Sequence, residues 1–381
     1  MTKILHYWWW LFVPVILLLP FILWELKPTL PLNILVIDKT VPDLGRREHK
    51  TFFWCLKHYK VVKPNGDFYN KLVDYYGYFP EDSTASVPSD LMGVHPDLVY
   101  ITDLYGIYRG ESSNNPITYG PRLVYGGLKQ DELKALEKFD SMGTTIIAEF
   151  NSLDYPTTLN QKIDSAFQRL LGIKYSGWYG SFFESLRDVP SWAKKMYARL
   201  YHNHWNFSGS GIVILNQGSL ENSGQSILVL NEQDLGTPPL SIINRTSPVL
   251  SNTEKSTPYF YWFEMVIPDS GGQVIADYEL NCKPEGLQKL HDSGLPQAFP
   301  AIITNHSFTH FYFAGDFADN NIPDVMEEIS FGVRFSGFVY NIYNASDQHR
   351  FFYTLYAPLM KNIFNLVEKR SSQRKLSAQD Q

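Results

Sequence analysis

Four carboxylates stand where an acid–base or ligand-binding site would need them. Asp38 closes the apolar run Ile34-Leu35-Val36-Ile37, Asp103 closes Leu98-Val99-Tyr100-Ile101-Thr102, Glu149 ends the run that starts at Thr144, and Asp316 follows Thr309 to Gly315. Short runs of this kind, apolar throughout and rich in β-branched residues, read as strands buried on both faces, the habit of parallel sheets. In an open α/β sheet, ligands bind in the crevice outside the carboxyl ends of the strands. Residues just past those ends therefore gather at one rim. Asp38, Asp103, Glu149 and Asp316 are the catalytic candidates. Lys39, Tyr105, Gly106, Asn151, Trp178 and Asp319 are the ligand-binding candidates. Converging carboxylates can move protons or hold a divalent cation. The same residue types also cap helices and close turns with no further role.

The most distinctive stretch is Phe313-Ala314-Gly315-Asp316-Phe317-Ala318-Asp319-Asn320, whose small residues permit close backbone approach. Gly177-Trp178-Tyr179-Gly180 and Tyr105 offer aromatic faces that would either stack on a sugar or pack internally. His202 with His204, and His306 with His310, form pairs without a third ligand, so no metal site is assigned. No cofactor motif is present and no cofactor is expected. The only cysteines, Cys55 and Cys282, lack zinc spacing and read as unpaired core thiols.

Positioning these residues falls to a chain of 381 residues with 44% hydrophobic and 19% charged content, enough for a sizeable core. A net charge of −6 argues against nucleic acid as a partner. Tyr7 to Trp24 carries no charge and has Trp8, Trp9, Trp10 and Trp24 at its ends, where interfacial aromatic belts form. Residues 1–27 are therefore expected to be a single-pass transmembrane anchor, with residues 7–24 in the bilayer. No small-residue cleavage pattern precedes Glu25-Leu26-Lys27-Pro28. The domain that follows is expected outside the cytoplasm.

Helical periodicity marks His49 to Tyr59, Phe68 to Tyr76 and Lys129 to Phe139. A capping box at Thr158-Leu159-Asn160-Gln161 opens a further helix to about Leu171. Pro80 to Pro96 reads as a surface loop. Strands alternating with helices predict an α/β fold, a doubly wound, mainly parallel, flavodoxin-like sheet. Further strands are predicted at Gly211–Asn216, Ser226–Asn231, Tyr259–Pro268, Gln273–Glu279, Ala301–Thr304 and Thr309–Ala314, the β-rich middle being an elaboration. A terminal helix is predicted over Phe351–Lys369, with residues 370–381 as a polar, disordered tail.

Three stretches carry a resemblance. They are Gly126-Gly127-Leu128 through Leu136 to Gly143-Thr144-Thr145-Ile146-Ile147; Val274-Ile275-Ala276-Asp277-Tyr278 with Gly294-Leu295-Pro296 and Phe299-Pro300-Ala301-Ile302-Ile303; and Thr309 to Gly315. In this order they resemble the class I glutamine-amidotransferase-like superfamily, in particular the branch with ThuA-like domains and the trimerisation domain of certain β-galactosidases. The resemblance implies one amidotransferase-like domain over residues 28–369. It also implies a Cys nucleophile on the turn after the fourth strand, backed by a His. That turn here reads Glu149-Phe150-Asn151-Ser152-Leu153-Asp154, without Cys and without a Gly-x-Ser-x-Gly elbow around Ser152. The expectation is a catalytically degenerate module that binds a ligand or partner, with polysaccharide or envelope assembly as the setting. The alternatives are a carbohydrate-active hydrolase using the strand-end carboxylates, and a subunit of a membrane complex.

Overall fold

Nearly all of the uncharged run lies in a helix, Trp8–Glu25, and the strand-end carboxylates lie along a sheet whose parallel strands make one contiguous block. A computed structural model describes residues 8–42, 44–80, 84–85, 91–109, 122–216, 224–344 and 346–379. The chain opens with α1 (Trp8–Glu25), β1 (Leu30–Pro31) and β2 (Ile34–Asp38), then α2 (Lys50–His58) and β3 (Val61–Val62). It continues through β4 (Tyr76–Phe79), β5 (Thr84–Ala85), β6 (Leu98–Asp103), β7 (Ile107–Arg109) and β8 (Arg122–Tyr125). After these come α3 (Gln130–Ser141), β9 (Thr145–Glu149), α4 (Gln161–Leu171), β10 (Ile173–Phe183) and α5 (Ser191–Tyr201). β11 (Gly211–Asn216), β12 (Ser226–Asn231), β13 (Leu235–Asn244), β14 (Ser256–Pro258), β15 (Phe263–Pro268) and β16 (Gly272–Cys282) follow. The last elements are α6 (Pro284–Asp292), β17 (Ala298–Asn305), β18 (His310–Phe313), α7 (Gly332–Tyr343) and α8 (Ala357–Gln379).

The main sheet has ten strands in the order β14-β13-β16-β17-β18-β9-β6-β2-β4-β5. Strands β18, β9, β6, β2 and β4 run parallel to one another. The flanking strands join antiparallel. The α/β class holds, but the expected mainly parallel, flavodoxin-like sheet is a mixed one. The reason is connection length: β2, β6 and β9 are separated by helices long enough for crossovers, whereas β16, β17 and β18 are too closely spaced for crossovers between all of them. A second sheet, β12-β11-β10-β15, is antiparallel throughout.

Helix α2 is buried nearly all round. Phe52 stacks on Tyr100 of β6 at 4.3 Å and lies 6.0 Å from Phe364 of α8, so α2 is sandwiched between sheet and terminal helix. Three expectations need correction. Phe68–Tyr76 is not a helix, because Asn70 accepts from the Leu72 N–H to make a tight turn and the chain then extends into β4. The capping residue of α4 is Asn160, which accepts from Lys162 and Ile163, rather than Thr158. Helix α8 runs on to Gln379 through most of the expected tail, held by Arg370 on Phe308 O at 2.8 Å and Arg374 on Asp97 at 3.0 Å.

The predicted anchor folds as α1, with side chains described from Val15 onward; Tyr7 and the side chains of Trp8, Trp9 and Trp10 lie outside the described residues. Among the described residues, no helix is long and apolar enough to cross a membrane. The Pro80–Pro96 loop also lies partly outside them.

Candidate functional site

Because β2, β6 and β9 are adjacent and parallel, their last residues fall at one edge, and β18 brings the Gly315–Asn320 loop alongside. Asp38, Asp103 and Glu149 all lie there, at 0%, 3% and 1% exposure. Each is consumed by internal hydrogen bonds. Asp38 meets His49 Nδ1 at 2.6 Å and accepts the Thr40 N–H at 3.0 Å. Asp103 accepts from the Thr40 hydroxyl, the Tyr105 N–H at 2.6 Å and Asn151 Nδ2 at 2.9 Å. Glu149 accepts from the Tyr100 hydroxyl at 2.9 Å and the Ala318 N–H at 3.3 Å. Tyr100 in turn meets Tyr356 at 2.9 Å. Asn151 itself is held at φ 64, in the left-handed region, on the turn after β9.

A second group lies nearer the surface. Glu48, Asp316 and Asp319 each offer an oxygen within 4.8 Å of the others. Arg47 bridges two of them, Glu48 Oε1 at 3.1 Å and Asp319 Oδ2 at 2.9 Å, and remains largely exposed above the cluster. Asp316 is positioned by its own N–H, which donates to Trp262 O at 3.0 Å, and by Gly315, whose missing Cβ would stand 2.1 Å from the Tyr278 hydroxyl. The Asp316 carboxylate has no hydrogen-bond partner among the described residues.

Electrostatics follow from burial and crowding. Burial pushes Asp103 up to about 7, partly offset by Thr40 and Asn151, with Asp38 adding repulsion. Burial, then the Asp103 charge, raises Glu48 to about 8. Asp319 rises to about 7 through burial and Glu48. Asp38, Glu149 and Asp316 are also raised well above the usual carboxylate range, burial leading in each case. His49, fully buried, falls to about 3. Burial thus opposes charge on both partners of the short Asp38–His49 contact. Like charges this close are tolerated only when protons or a cation compensate them.

The other ligand-binding candidates scatter. Lys39 is fully buried and turned to Glu132 at 2.6 Å and Gly127 O at 2.6 Å, away from the cluster. Tyr105 packs its ring against Tyr108 at 4.7 Å in a tilted arrangement. Gly106 is needed for a close approach: a Cβ would stand 2.0 Å from Tyr125 O. Trp178 sits in the irregular part of β10 in the second sheet; the tryptophan beside Asp316 is Trp262. His310 is at the other end of β18 from Asp316, near Asp140 at 3.1 Å. Cys55 and Cys282 are free, buried and half-buried respectively, and neither lies on the turn after β9. Ser152 is fully buried.

Glu48 and Arg47 escaped the sequence reading, although the charged run Arg46-Arg47-Glu48-His49 falls between β2 and α2, where a strand-end rim would recruit it.

No family model and no curated protein matches this chain. Among solved structures, it is similar to a glutamine amidotransferase from Thermotoga maritima, with 6% identity, 88% of this chain and 98% of that chain covered, and a TM-score of 0.37. It is also similar to a ThuA-like protein from Bacteroides uniformis, with 11% identity, coverage of 90% and 93%, and a TM-score of 0.37. A glutamine amidotransferase from Methylobacillus flagellatus gives 8% identity, coverage of 90% and 95%, and a TM-score of 0.34. Likenesses at this level assign no residue and no activity to the present chain.

Proposed function

We propose that this is a membrane-tethered ligand-binding protein in which Glu48, Asp316 and Asp319 hold a divalent cation that bridges to an oxygen-rich ligand. The observation that carries the reading is the approach of three carboxylate oxygens within 4.8 Å of one another at the strand-end rim. Hard divalent cations take such oxygen sets, completed by ligand or water oxygens. A carbohydrate suits the remaining positions, and it is the ligand class of the sugar-associated branch that the sequence resembles. The tether is supported by the uncharged run Tyr7–Trp24 and by the exposure of Val15 to Leu19 and Phe21 to Leu23 on α1.

Binding is favoured over hydrolysis by the state of the buried carboxylates. A general acid must reach the proton it transfers. Asp38, Asp103 and Glu149 are almost wholly enclosed and already hydrogen-bonded, so only Asp316 of the four catalytic candidates keeps accessible surface.

Calorimetric titration of the full chain in detergent with Ca²⁺, Mg²⁺ and Mn²⁺ tests this. At least one cation should bind, and Asp316→Asn or Asp319→Asn should weaken it at least tenfold. At a hundredfold excess over Kd the bound ion should stabilise the fold by about 2.7 kcal/mol. Silence from all three ions in the wild type would refute the reading. A glycan screen with the binding ion present then tests the ligand class.

A further inference from the structure

At the opposite end of α2 from the carboxylates lies a second, unrelated surface. Phe331, Phe335, Phe338 and Ile342 are 60%, 64%, 62% and 57% exposed. Their spacing of four, three and four places them in one stripe along α7, whose other face is buried through Gly332, Val333 and Gly337. The stripe begins against α1, where the Ser330 N–H donates to Pro20 O at 3.0 Å. It thus adjoins the exposed apolar side chains of α1. Apolar surface this extended marks a contact with a membrane or another protein.

Beside the stripe is a cavity of about 560 Å³ between the residues just after α1, the end of α2, α7 and α8. Leu30, Tyr59, Val333 and Phe364 give it apolar walls, and Lys27, Arg334 and Lys361 stand around it. None of the three cations pairs with a carboxylate among the described residues. Burial, then the charges of Lys361 and Lys60, lowers the pKa of Lys27. His58, on the same wall, is pushed down to about 4 by burial and by Lys27, so it adds no charge at neutral pH.

We propose that α7, the base of α1 and this cavity form a membrane-interfacial surface that seats the phosphate headgroup of an anionic phospholipid. An aromatic stripe lying in the interface with basic residues at its edge is the pattern of helices that lie in a bilayer surface. Charge complementarity selects the occupant. A second copy docked face to face would bring the same three cations together, and an apolar protein helix would leave them unmatched. The inference rests on the reading that α1 is embedded in lipid, but it is independent of the carboxylate cluster at the rim.

The test uses the full chain in nanodiscs containing equal phosphatidylcholine and phosphatidylglycerol. Lipids retained on gentle release are counted by native mass spectrometry. The wild type should retain phosphatidylglycerol preferentially, and Arg334→Glu with Lys361→Glu should reduce the preference at least fivefold with unchanged circular dichroism. If that pair misfolds, Arg334→Gln with Lys361→Gln replaces it. A fluorophore at Ile342→Cys, in a Cys282→Ser background, should be quenched by brominated acyl chains. Lipid association without a phosphatidylglycerol preference, displacement of the lipid by inorganic phosphate, or an unquenched probe in a dimer would each overturn this inference alone. Absence of any lipid association would overturn the tether as well.

Discussion

Glu48 occupies a position in which its charge is opposed from several sides, and this makes it the most informative single residue of the rim. Its carboxyl is raised from 4.5 to about 8 by burial and by Asp103, relieved by Arg47. A carboxyl whose folded pKa is raised favours the folded state when protonated. Its contribution is therefore fully present below about 4.5 and is lost as the pH rises through about 8. Glutamine at this position has no proton to lose. With chelator present, the melting temperature of Glu48→Gln relative to wild type should rise steadily between pH 5 and pH 8; a difference independent of pH would remove Glu48 from the electrostatic argument. Lys39 presents the opposite case, a cation locked against Glu132 with both side chains at or below 1% exposure. The Tyr76 hydroxyl donates to the same carboxylate at 2.6 Å. Lys39→Met strands a buried carboxylate and should cost about 3–5 kcal/mol in denaturant unfolding, with Glu132→Leu recovering part of it. A stable Lys39→Met protein that had lost ligand binding would instead return Lys39 to the site.

At the scale of elements, local signals set individual helices while partners distant in sequence set the sheet. Asn160 caps α4 through two backbone N–H groups, so Asn160→Ala should destabilise the protein by about 1 kcal/mol, seen as a lower denaturation midpoint with unchanged slope. The strands β2, β6 and β9 were legible because an unbroken apolar run of five or six residues ending in a carboxylate has few other uses. The edge to which Asp38, Asp103 and Glu149 come follows from their parallel order. The flanks of the sheet were not legible, since the strands of the second half could pair in several ways and only tertiary packing chooses one. Phe68–Tyr76 misled through its helical spacing; Gly77 shows what overrode it, for a Cβ there would stand 1.5 Å from Asp38 O, where β4 closes on β2. Glu48 was invisible for a related reason. It lies in the short turn before α2, and nothing local reveals that Asp316 and Asp319 arrive from the far end of the chain.

On the scale of the whole molecule, α2 works as a ruler between the two surfaces. His49, just before it, holds Asp38 at the rim, and His58, at its end, accepts the Trp24 indole N–H of α1 at 3.0 Å. They stand nine positions apart, about 13 Å along the helix axis. Strand β2 runs back across the same interval from the α1 side to the rim. The carboxylates therefore face away from whatever surface α1 and α7 occupy, and a ligand bound at the rim would not compete with lipid there. This polarity can be measured on full-length protein in vesicles carrying an energy acceptor on the lipid headgroups. Donors are placed singly at Asn321→Cys, beside the rim, and at Asn365→Cys, on the wall of the basic cavity, both exposed positions, in a Cys282→Ser background that leaves only the buried Cys55. Transfer should be clearly stronger from position 365 than from position 321, and cation addition should leave that order unchanged. Equal transfer would mean the molecule lies on its side, and the reverse order would put the carboxylate rim against the bilayer, so that the interfacial role of α7 would fall.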